Sequence, residues 1–559
     1  MIEVGDVDYQ APPQPSPAEP SAPTSTPART VRSGAHVREP ERRALSTVAR
    51  LRVPMPTDRL TGWLVTLLIT AIAFTIRLVH LGRPRNLVFD ETYYAKDAYS
   101  LLRFGYERSW PESANASVLA GNPDVMNRAP AFIVHPQVGK WLIAGGEQLF
   151  GMNSFGWRFG SLVFGTLLVL VTIRLVRRVS RSTLVGAIAG VLLTFDGLAF
   201  VMSRTALLDI FLAFFLVAAV ACLAADRDWF RDRLARHLEA RGLRDLGGRF
   251  GPALVLRPWR IAAGVCFGLA LGTKWNALYV LAAFALLSLA WDVGARRLAG
   301  AGPRAGWAVL RDGVPAFVSL VVLAALVYVG TWASWLATSG GYGRSWGAQH
   351  PEATSVKVLG APLASLLHYN SDIWDFHTGD FINQATHTYA ANPAGWMVVA
   401  RPIGIDAVND LQPGTPGCPG PDTCLRVISG IGTPVLWWAA VIALVFALVL
   451  WVGGRDWRFG VPVVGVLSAW LPWFQYTDRP LFYFYAIALL PFSVMAVALG
   501  LGLLLGRARA GDRRMLGAVV TGAFVALVVA NFGYLYPILT DELLPRSKWL
   551  ARMWFKSWI

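Results

Sequence analysis

Residues 63–96 read WLVTLLITAIAFTIRLVHLGRPRNLVFDETYYAK, an apolar run followed by a polar turn and the acidic pair Asp90-Glu91. The run from Trp63 to Val79 is long enough to cross the hydrocarbon core of a membrane. The turn after it therefore delivers two carboxylates to the boundary between membrane and water. Carboxylates at that depth suit acid-base chemistry on a membrane-bound substrate, although for such a pair taken alone the start of a solvated loop is the commoner explanation.

Composition places the chain among polytopic membrane proteins. Hydrophobic residues make up 54% and charged residues 15%, and the mean hydropathy is +0.45. Apolar runs predict about eleven transmembrane helices, of which the fifth and sixth are poorly separated. The predicted spans are 61–80, 158–176, 183–202, 206–225, 261–278, 276–292, 314–336, 430–452, 459–475, 482–505 and 515–536. The predicted fold class is an all-α polytopic membrane protein with two large extracytoplasmic loops, 81–157 and 337–429.

The basic residues give this model an orientation. The net charge is +16, and the arginines concentrate in short loops on one side of the eleven-span model, as in cytoplasmic loops. This distribution argues against a nucleic-acid partner. Residues 1–60 are predicted to be a disordered cytoplasmic tail, 61–536 the membrane domain with Asp90 facing outward, and 537–559 an amphipathic extracytoplasmic tail. Only 6 of the 51 basic residues are lysine, which is typical of GC-rich coding and points to a bacterial cell membrane.

Two cysteines in the second outer loop predict a disulfide. Cys418 and Cys424 enclose a short loop on the oxidising side of the membrane, where a disulfide persists, and too few other ligands lie nearby for zinc. His377 and Asp380 are better explained as part of a packed loop than as metal ligands. The sequence thus predicts no metal site and implies no cofactor firmly, while the need for a divalent cation stays open.

Several ionisable residues lie at the ends of predicted spans, at the depth of the acidic pair. For each of them alone, a side chain that reaches from a helix end to water is the simpler explanation. Their convergence on the outer face instead favours a shared anionic ligand, because ionisable groups at membrane depth are costly and need partners. These residues are Arg77, Arg158, Asp196, Arg204 and Lys274.

Motifs along most of the chain resemble those of protein O-mannosyltransferases. The resemblance spans about 61–540 and follows the bacterial branch, because the second outer loop is too short for the MIR domain of the eukaryotic relatives. The motifs are FDETYYAK at 89–96, HPQVGK at 135–140, FGWR at 155–158, SRTALLD at 203–209, GTKW at 272–275, YNSDIWDFH at 369–377 and WLPW at 470–473.

This resemblance implies a GT-C fold and the transfer of mannose from a polyprenyl-phosphate-mannose donor to Ser or Thr of secreted or translocating proteins, with the protein-export machinery as a partner. Asp90 corresponds to the catalytic acid of the family motif and is assigned as the general base of an inverting displacement. Glu91 is named with it, with a role in orienting the loop or binding Arg77 or Arg158. Arg158, Lys274 and Arg204 are assigned to the donor phosphate.

Further residues receive supporting roles. Trp374, His377 and Trp396 are expected to line an acceptor or sugar cleft. His135 and Lys140 either border the donor pocket or anchor an interfacial helix that continues from Trp141, and the sequence favours neither. The full supporting set is Arg77, His135, Lys140, Asp196 and Asp209.

Two other function classes fit parts of the pattern. A GT-C enzyme that glycosylates a lipid or polysaccharide would keep the same carboxylate and cations without a peptide groove. A transporter or lipid flippase would instead have inverted repeats and a site at the membrane midplane, and no such repeat is visible in the sequence.

Overall fold

The computed structural model describes residues 46–418, 420–506 and 511–559. Most of the tail predicted over 1–60 lies outside these residues, but its last part is ordered, which corrects the predicted boundary. Helix α1 (Thr47–Leu51) begins where the Ser46 hydroxyl accepts a hydrogen bond from the third helical N–H, and its Leu51 side chain is buried. The next residue, Arg52, donates to Asp232 at 2.8 Å. An apolar anchor and an ion pair therefore fix this segment.

Every predicted span contains a helix. The helices before the second outer loop are α2 (Arg59–Leu78), α3 (Glu91–Phe104), α4 (Ala114–Leu119), α5 (Val138–Phe150), α6 (Ser154–Ser180), α7 (Thr183–Thr194), α8 (Gly197–Met202), α9 (Asp209–Ala240), α10 (Pro258–Leu271), α11 (Ala277–Leu298), α12 (Arg304–Phe317) and α13 (Leu323–Gly330). The later elements are α14 (Ala333–Ala337), α15 (Trp346–Gln349), α16 (Thr354–Leu359), α17 (Ala361–Thr378), α18 (Asp380–Asn383), β1 (Ile403–Leu411), β2 (Cys424–Gly430), α19 (Pro434–Val452), α20 (Trp457–Trp470), α21 (Leu490–Leu505), α22 (Asp512–Leu539), β3 (Leu544–Pro545) and α23 (Arg546–Leu550).

Seven helical stretches of the described residues are long and apolar enough to cross a membrane: α2, α6, α9, α11, α12 with α13, α19 and α22. Three shorter apolar helices, α7, α10 and α21, have 12 to 16 residues. The chain is therefore a mostly helical, multi-pass membrane protein, and the helical prediction is confirmed. Helix α9 lies at the centre of the protein, because 78% of the residues in its most apolar stretch are buried. Helices α2 and α19 lie at the periphery, where 22% of the corresponding residues are buried.

Three predicted boundaries differ from the structure. The span over 183–202 is two helices, because the Asp196 carboxylate accepts a hydrogen bond from Ala199 N at 2.9 Å and so caps a new helix. The basic loop predicted over 226–260 is helical as far as Ala240, since charged residues with high helix propensity extend α9 beyond its apolar part. Helix α22 likewise continues past Pro537 to Leu539.

The segments around 403–430 and 544–545 form an antiparallel sheet of order β1-β2-β3, an addition to the predicted all-α class. The expected disulfide between Cys418 and Cys424 closes the loop that joins β1 to β2. Strand β3 comes from the C-terminal segment, and Trp558 donates to the Val399 carbonyl at 2.7 Å. The C-terminal segment therefore packs on the second outer loop, instead of lying free at the membrane surface, and both are on the same side of the helices.

Candidate active site

The turn that carries the acidic pair is held in an unusual backbone conformation. Phe89, directly before Asp90, has a φ of 47°, in the left-handed region that bulky residues rarely adopt. Its ring packs edge-on against His387, Phe482 and Phe484, with centroid distances of 5.7 to 6.1 Å. Because these rings hold Phe89 from several sides, the strained turn keeps one conformation and fixes Asp90 at the start of α3.

Glu91 is fully buried, and its carboxylate accepts five hydrogen bonds. Nε and Nη2 of Arg158 each donate at 2.8 Å, and the Trp157 indole donates at 3.1 Å. The backbone N–H groups of Val88 and Ala206 complete the set at 3.1 and 3.0 Å. This carboxylate joins three parts of the chain and has no open side for a substrate. Glu91 binds Arg158, one of the partners expected for it, and its burial makes it a positioning residue instead of a second catalytic group.

Arg158 is occupied by protein groups, which corrects its predicted role at the donor phosphate. Besides Glu91, its guanidinium donates to the carbonyl oxygens of Leu81, Pro84 and Asn86 at 2.8 to 3.3 Å, and its side chain is 1% exposed. The Asn153 side chain caps α6, and Arg158, the fifth residue of the helix, donates back to the 81–86 turn. Arg158 therefore connects the 81–86 turn to Glu91 of the acidic pair.

Arg204 has a similar structural task. Its guanidinium donates to the carbonyl oxygens of Arg77 and Val79, both at 2.6 Å, and of His80 at 3.0 Å. These carbonyls end α2 and have no partner within the helix, so Arg204 satisfies them. It also lines a second cavity of about 780 Å³, which Asp406 and Asp541 line as well. Arg204 does not line the cavity that Lys274 lines, and its assignment to the donor phosphate stays a prediction.

Asp90 lies beside a buried ion pair. Lys274 Nζ is 2.8 Å from Asp209 Oδ2, with Asp209 at the start of α9 and Lys274 in the turn between α10 and α11. Burial raises the pKa of the Asp90 carboxyl to about 6, Lys274 opposes that rise and Asp209 adds to it. A carboxylate with this pKa is mostly ionised at neutral pH and accepts a proton better than an ordinary aspartate.

Asp90 does not itself line the cavity of about 450 Å³ that includes its electrostatic partner Lys274. Lys274 and Tyr485 belong to its wall, and both interact electrostatically with the Asp90 carboxylate. Apolar walls with a few convergent polar groups are typical of a ligand site. The aromatic lining includes Trp275, Tyr328, Trp374, Trp473, Tyr476 and Tyr485. The polar lining includes His135, Lys274, Asn370, His377 and Arg479.

The two histidines of the cavity wall are neutral. Their rings stack with a centroid distance of 5.3 Å. His377 Nε2 lies 2.8 Å from the Val134 carbonyl and donates to it, so Nδ1 accepts the hydrogen bond of Arg479 Nη1 at 3.2 Å. Burial lowers the pKa of His377 to about 4 and that of His135 well below its usual value. Within 46–418, 420–506 and 511–559, no group of three His, Cys, Asp or Glu side chains is arranged to hold a metal ion.

Arg479 is a candidate that the sequence analysis missed. Its guanidinium binds the neutral His377 ring, and its buried Nε atom has no hydrogen-bond partner in the described part of the chain. Because Lys274 is paired with Asp209, Arg479 is the cation of the cavity wall that has no carboxylate partner among the described residues. The available signal was weak: Arg479 is the single basic residue in the short polar segment between α20 and α21, on the outer side of the span model.

The two undecided residues of the HPQVGK motif have different environments. His135 lines the cavity, whereas Lys140 is buried and pairs with Asp97 at 2.9 Å and Glu107 at 3.2 Å. Lys140 therefore anchors α5 to α3 and does not border the cavity. Helix α5 can pack closely on α6 because Gly146 has no side chain there. A β-carbon at this position would clash with a backbone oxygen of α6 at 2.2 Å.

Three more predicted site residues are part of the scaffold. Asp196 accepts hydrogen bonds from Thr433 N and Trp437 Nε1 and so ties α8 to α19. Arg77 is buried and donates to backbone carbonyls, one of them that of Leu193 at 3.4 Å. Trp396 lies behind the cavity wall, while Trp374 and His377 are in it. None of these three residues lines the cavity: Arg77 and Asp196, named in supporting roles, hold the scaffold, and Trp396, expected in the acceptor or sugar cleft, lies behind the wall.

The fold resembles that of one chain of the S. cerevisiae protein O-mannosyltransferase Pmt1-Pmt2 complex bound to the sugar donor. The TM-score is 0.67 at 13% identity, and the match covers 92% of this chain and 94% of that chain. At this identity the likeness concerns the fold alone. It is the GT-C fold of membrane glycosyltransferases, which gives the class of fold, while the activity requires separate evidence.

Residues 67–236 match the family model of dolichyl-phosphate-mannose-protein mannosyltransferases, and residues 362–558 match that of the C-terminal four-helix transmembrane region of protein O-mannosyltransferases. A polyprenol-phosphate-mannose--protein mannosyltransferase of Mycobacterium tuberculosis is 40% identical over 509 residues, 90% of this chain and 93% of its own length. One from Corynebacterium glutamicum is 34% identical over 480 residues, 84% of this chain and 88% of its own. The chain belongs to the protein O-mannosyltransferase family, as its motifs predicted.

Proposed function

We propose that this protein transfers mannose from polyprenyl-phosphate-mannose to Ser or Thr hydroxyl groups of proteins, with inversion at the anomeric carbon. The names of its relatives specify that donor and a protein acceptor. The observation that carries the proposal is Asp90, a carboxylate of raised pKa whose electrostatic partner Lys274 lines a cavity together with Arg479. The donor is a phosphodiester with one negative charge, and we assign it to Arg479, which has no carboxylate partner among the described residues.

In the proposed reaction, Asp90 accepts the proton of the acceptor hydroxyl. The hydroxyl oxygen forms a bond to the anomeric carbon while the bond from that carbon to the phosphate oxygen breaks. Polyprenyl phosphate leaves with the electron pair. Lys274 and Arg479 stabilise the charge that develops on it, because donors held in a site of low dielectric act strongly on developing charge. The aromatic side of the cavity binds the first isoprene units of the donor.

The residues around Asp90 act through position. Glu91 and Arg158 fix the turn before α3, Asp209 holds Lys274 towards the cavity, and His377 orients Arg479. Holding the acceptor oxygen, the base and the donor in one geometry contributes to the rate because it removes most of the entropy cost of bringing them together. Trp374 and His377 form the side of the cavity on which we place the sugar or the acceptor.

We also propose the orientation expected from the sequence: a multi-pass protein of the cell membrane with a cytoplasmic N-terminus, and with Asp90 and the C-terminus outside. The arginine-rich loops and the Cys418-Cys424 disulfide support it. On intact cells, an impermeant thiol reagent should label a cysteine introduced at Ser113 or after Ile559, and not one at Ala240. Reversed labelling would contradict an activity that meets its acceptors, and the export machinery, during translocation.

The activity is tested with the full chain in proteoliposomes. Radiolabelled polyprenyl-phosphate-mannose is offered with a peptide rich in Ser, Thr and Pro, and the matched control peptide has alanine at every Ser and Thr. Transfer of label to the first peptide alone is expected, and a parallel reaction with chelator decides whether a divalent cation is needed. Label on an added lipid or polysaccharide and none on the peptide would refute the protein acceptor and support the other transferase class.

A further inference from the structure

A third cavity lies at the other end of the helices. Its volume is about 300 Å³, and it is formed by the segment before α2, the end of α6 and the middle of α9. Arg158 lies near the start of α6, below the acidic pair, and Arg178 lies near its end, at this cavity. The two residues are about 30 Å apart along the helix, at 1.5 Å per residue. The residues at issue are Arg52, Arg178, Arg181, Arg227, Asp228 and Arg231, together with Asp232.

Positive charge dominates this wall. The wall contains five arginines and two aspartates, a surplus of three positive charges. Glu239 lies outside the wall but pairs with Arg52, and counting it leaves a surplus of two. A single carboxylate, that of Asp228, serves Arg178 at 2.8 Å and Arg181 at 2.7 Å, with Arg227 farther away at 3.7 Å. One carboxylate cannot neutralise three guanidinium groups, so the cavity attracts a further anion.

Arg227 supplies free hydrogen-bond donors. Its guanidinium carbon lies 3.5 Å from the centre of the Trp457 ring, and its side chain is only 11% exposed. No side chain or backbone group of the described residues accepts a hydrogen bond from it. Stacking fixes the plane of the guanidinium and leaves its N–H edge for an anion with oxygen acceptors. A fixed, partly buried guanidinium of this kind is suited to phosphate.

The backbone at Arg181 points to the same use. Arg181 follows the last residue of α6 with a φ of 58°, a position in the left-handed region that glycine usually occupies at a helix end. An arginine there gives up backbone freedom and places its guanidinium next to Asp228 and Met55. The side chain is therefore needed at this end of the helix for more than solubility.

We propose that this cavity binds the phosphate of an anionic membrane lipid. The lipid source is favoured over a soluble phosphate because α2 starts immediately beyond the cavity with large apolar side chains on its surface. Leu60 is 74% and Leu64 is 59% exposed there, and Trp63 stacks under Arg174 at 3.9 Å. A headgroup in the arginine cavity would leave its acyl chains against this apolar face. This site is distinct from the donor cavity, and the proposal does not depend on the proposed function.

The test uses the delipidated full chain in detergent and native mass spectrometry. Dioctanoyl-phosphatidylglycerol, dioctanoyl-phosphatidylcholine and sodium phosphate are titrated separately. Phosphatidylglycerol should bind saturably and more tightly than the other two. The double variant Arg178→Gln/Arg181→Gln should bind it about 25-fold more weakly, at about fivefold per arginine. The charge-retaining pair Arg178→Lys/Arg181→Lys should keep most of the affinity, and Arg297→Gln, an exposed arginine at the end of α11, should keep all of it.

Equal phosphatidylglycerol affinity in wild type and the glutamine double variant would overturn the proposal, as would absence of binding to the wild type. Sodium phosphate that binds as tightly as phosphatidylglycerol would overturn the lipid source and leave a soluble phosphate as the ligand. If the double variant does not fold, Arg181→Gln alone is measured, with a weakening of about fivefold expected and an unchanged affinity counting against the site.

Discussion

Asp90→Asn keeps the shape of the side chain at the start of α3 and removes its proton acceptor. General-base catalysis contributes about 10²–10⁴-fold to a rate, so mannose transfer should fall by that factor while the chain folds and binds donor normally. The matched control is Asp124→Asn. Asp124 lies in the same outer loop, is exposed and pairs with Arg103, so its loss should leave transfer unchanged.

The pH dependence gives a sharper measurement. With a pKa of about 6, the Asp90 carboxylate is ionised to about 9% at pH 5, about 50% at pH 6 and about 91% at pH 7. Transfer at pH 5 should therefore be about a tenth of that at pH 7. An ordinary aspartate would still be more than 90% ionised at pH 5 and would show almost no fall. Because Lys274 lowers the pKa of Asp90, Lys274→Gln should move the acid limb to higher pH.

The assay is peptide mannosylation in proteoliposomes from pH 4.5 to 8, with folding of each variant checked by its thermal unfolding midpoint. Two results would refute the reasoning. One is an Asp90→Asn protein of wild-type stability that retains more than a tenth of the activity. The other is an acid limb near pH 4 in the wild type, because the base would then be a group without the burial that raises the pKa of Asp90.

Further expectations concern the donor site and two buried groups. Arg479→Gln should raise the donor KM about 10- to 150-fold, the equivalent of one charged hydrogen bond, while Arg103→Gln outside the cavity should not. Arg158→Ala should lower the free energy of unfolding by about 3–5 kcal/mol, because it leaves the Glu91 carboxylate buried and unpaired. A raised donor KM with an unchanged free energy of unfolding would instead mean that Arg158 binds the donor phosphate. Burial raises the pKa of Glu147, whose oxygens have no partner in the described residues. The raised pKa means that folding favours the protonated form of Glu147, so the stability of the wild type falls as pH rises above the unfolded pKa near 4.5. Glu147→Gln should therefore raise the thermal unfolding midpoint at pH 8, and this gain should vanish towards pH 4. An equal gain at both pH values would contradict this expectation.

The helices and the place of Asp90 were predictable because each depends on local sequence. An apolar run of sufficient length forms a helix in a membrane wherever it occurs, and the residue after such a run lies at the boundary. The extension of α9 to Ala240 depends on a balance between solvation and helix propensity, which hydropathy does not register. Strand β3 has two residues, and its pairing with β2 comes from a segment more than a hundred residues away; no local signal marks it.

The roles of the arginines were harder to predict, because the sequence shows a charge and not its partner. Arg158 and Arg204 lie at the depth expected for a phosphate ligand. Each instead satisfies carbonyl oxygens that a helix end or a tight turn leaves unpaired. Buried carbonyls and a phosphate make the same demand on a guanidinium, so depth alone cannot separate the two. Arg479 is distinguished only by its neighbours, a neutral histidine and no carboxylate.

The two acids of the motif divide structure and chemistry between them. Successive residues at a helix start point about 100° apart, so Asp90 and Glu91 cannot face the same environment. The Glu91 side chain is buried, where five donors hold its carboxylate, and it forms an ion pair with Arg158. Asp90 interacts with Lys274 and accepts a hydrogen bond from Tyr94, and burial raises its pKa to about 6. The five donors on the Glu91 carboxylate leave it no open side for a substrate. In the proposed mechanism the motif therefore needs both acids, Asp90 as the base and Glu91 as the anchor that holds the turn before α3.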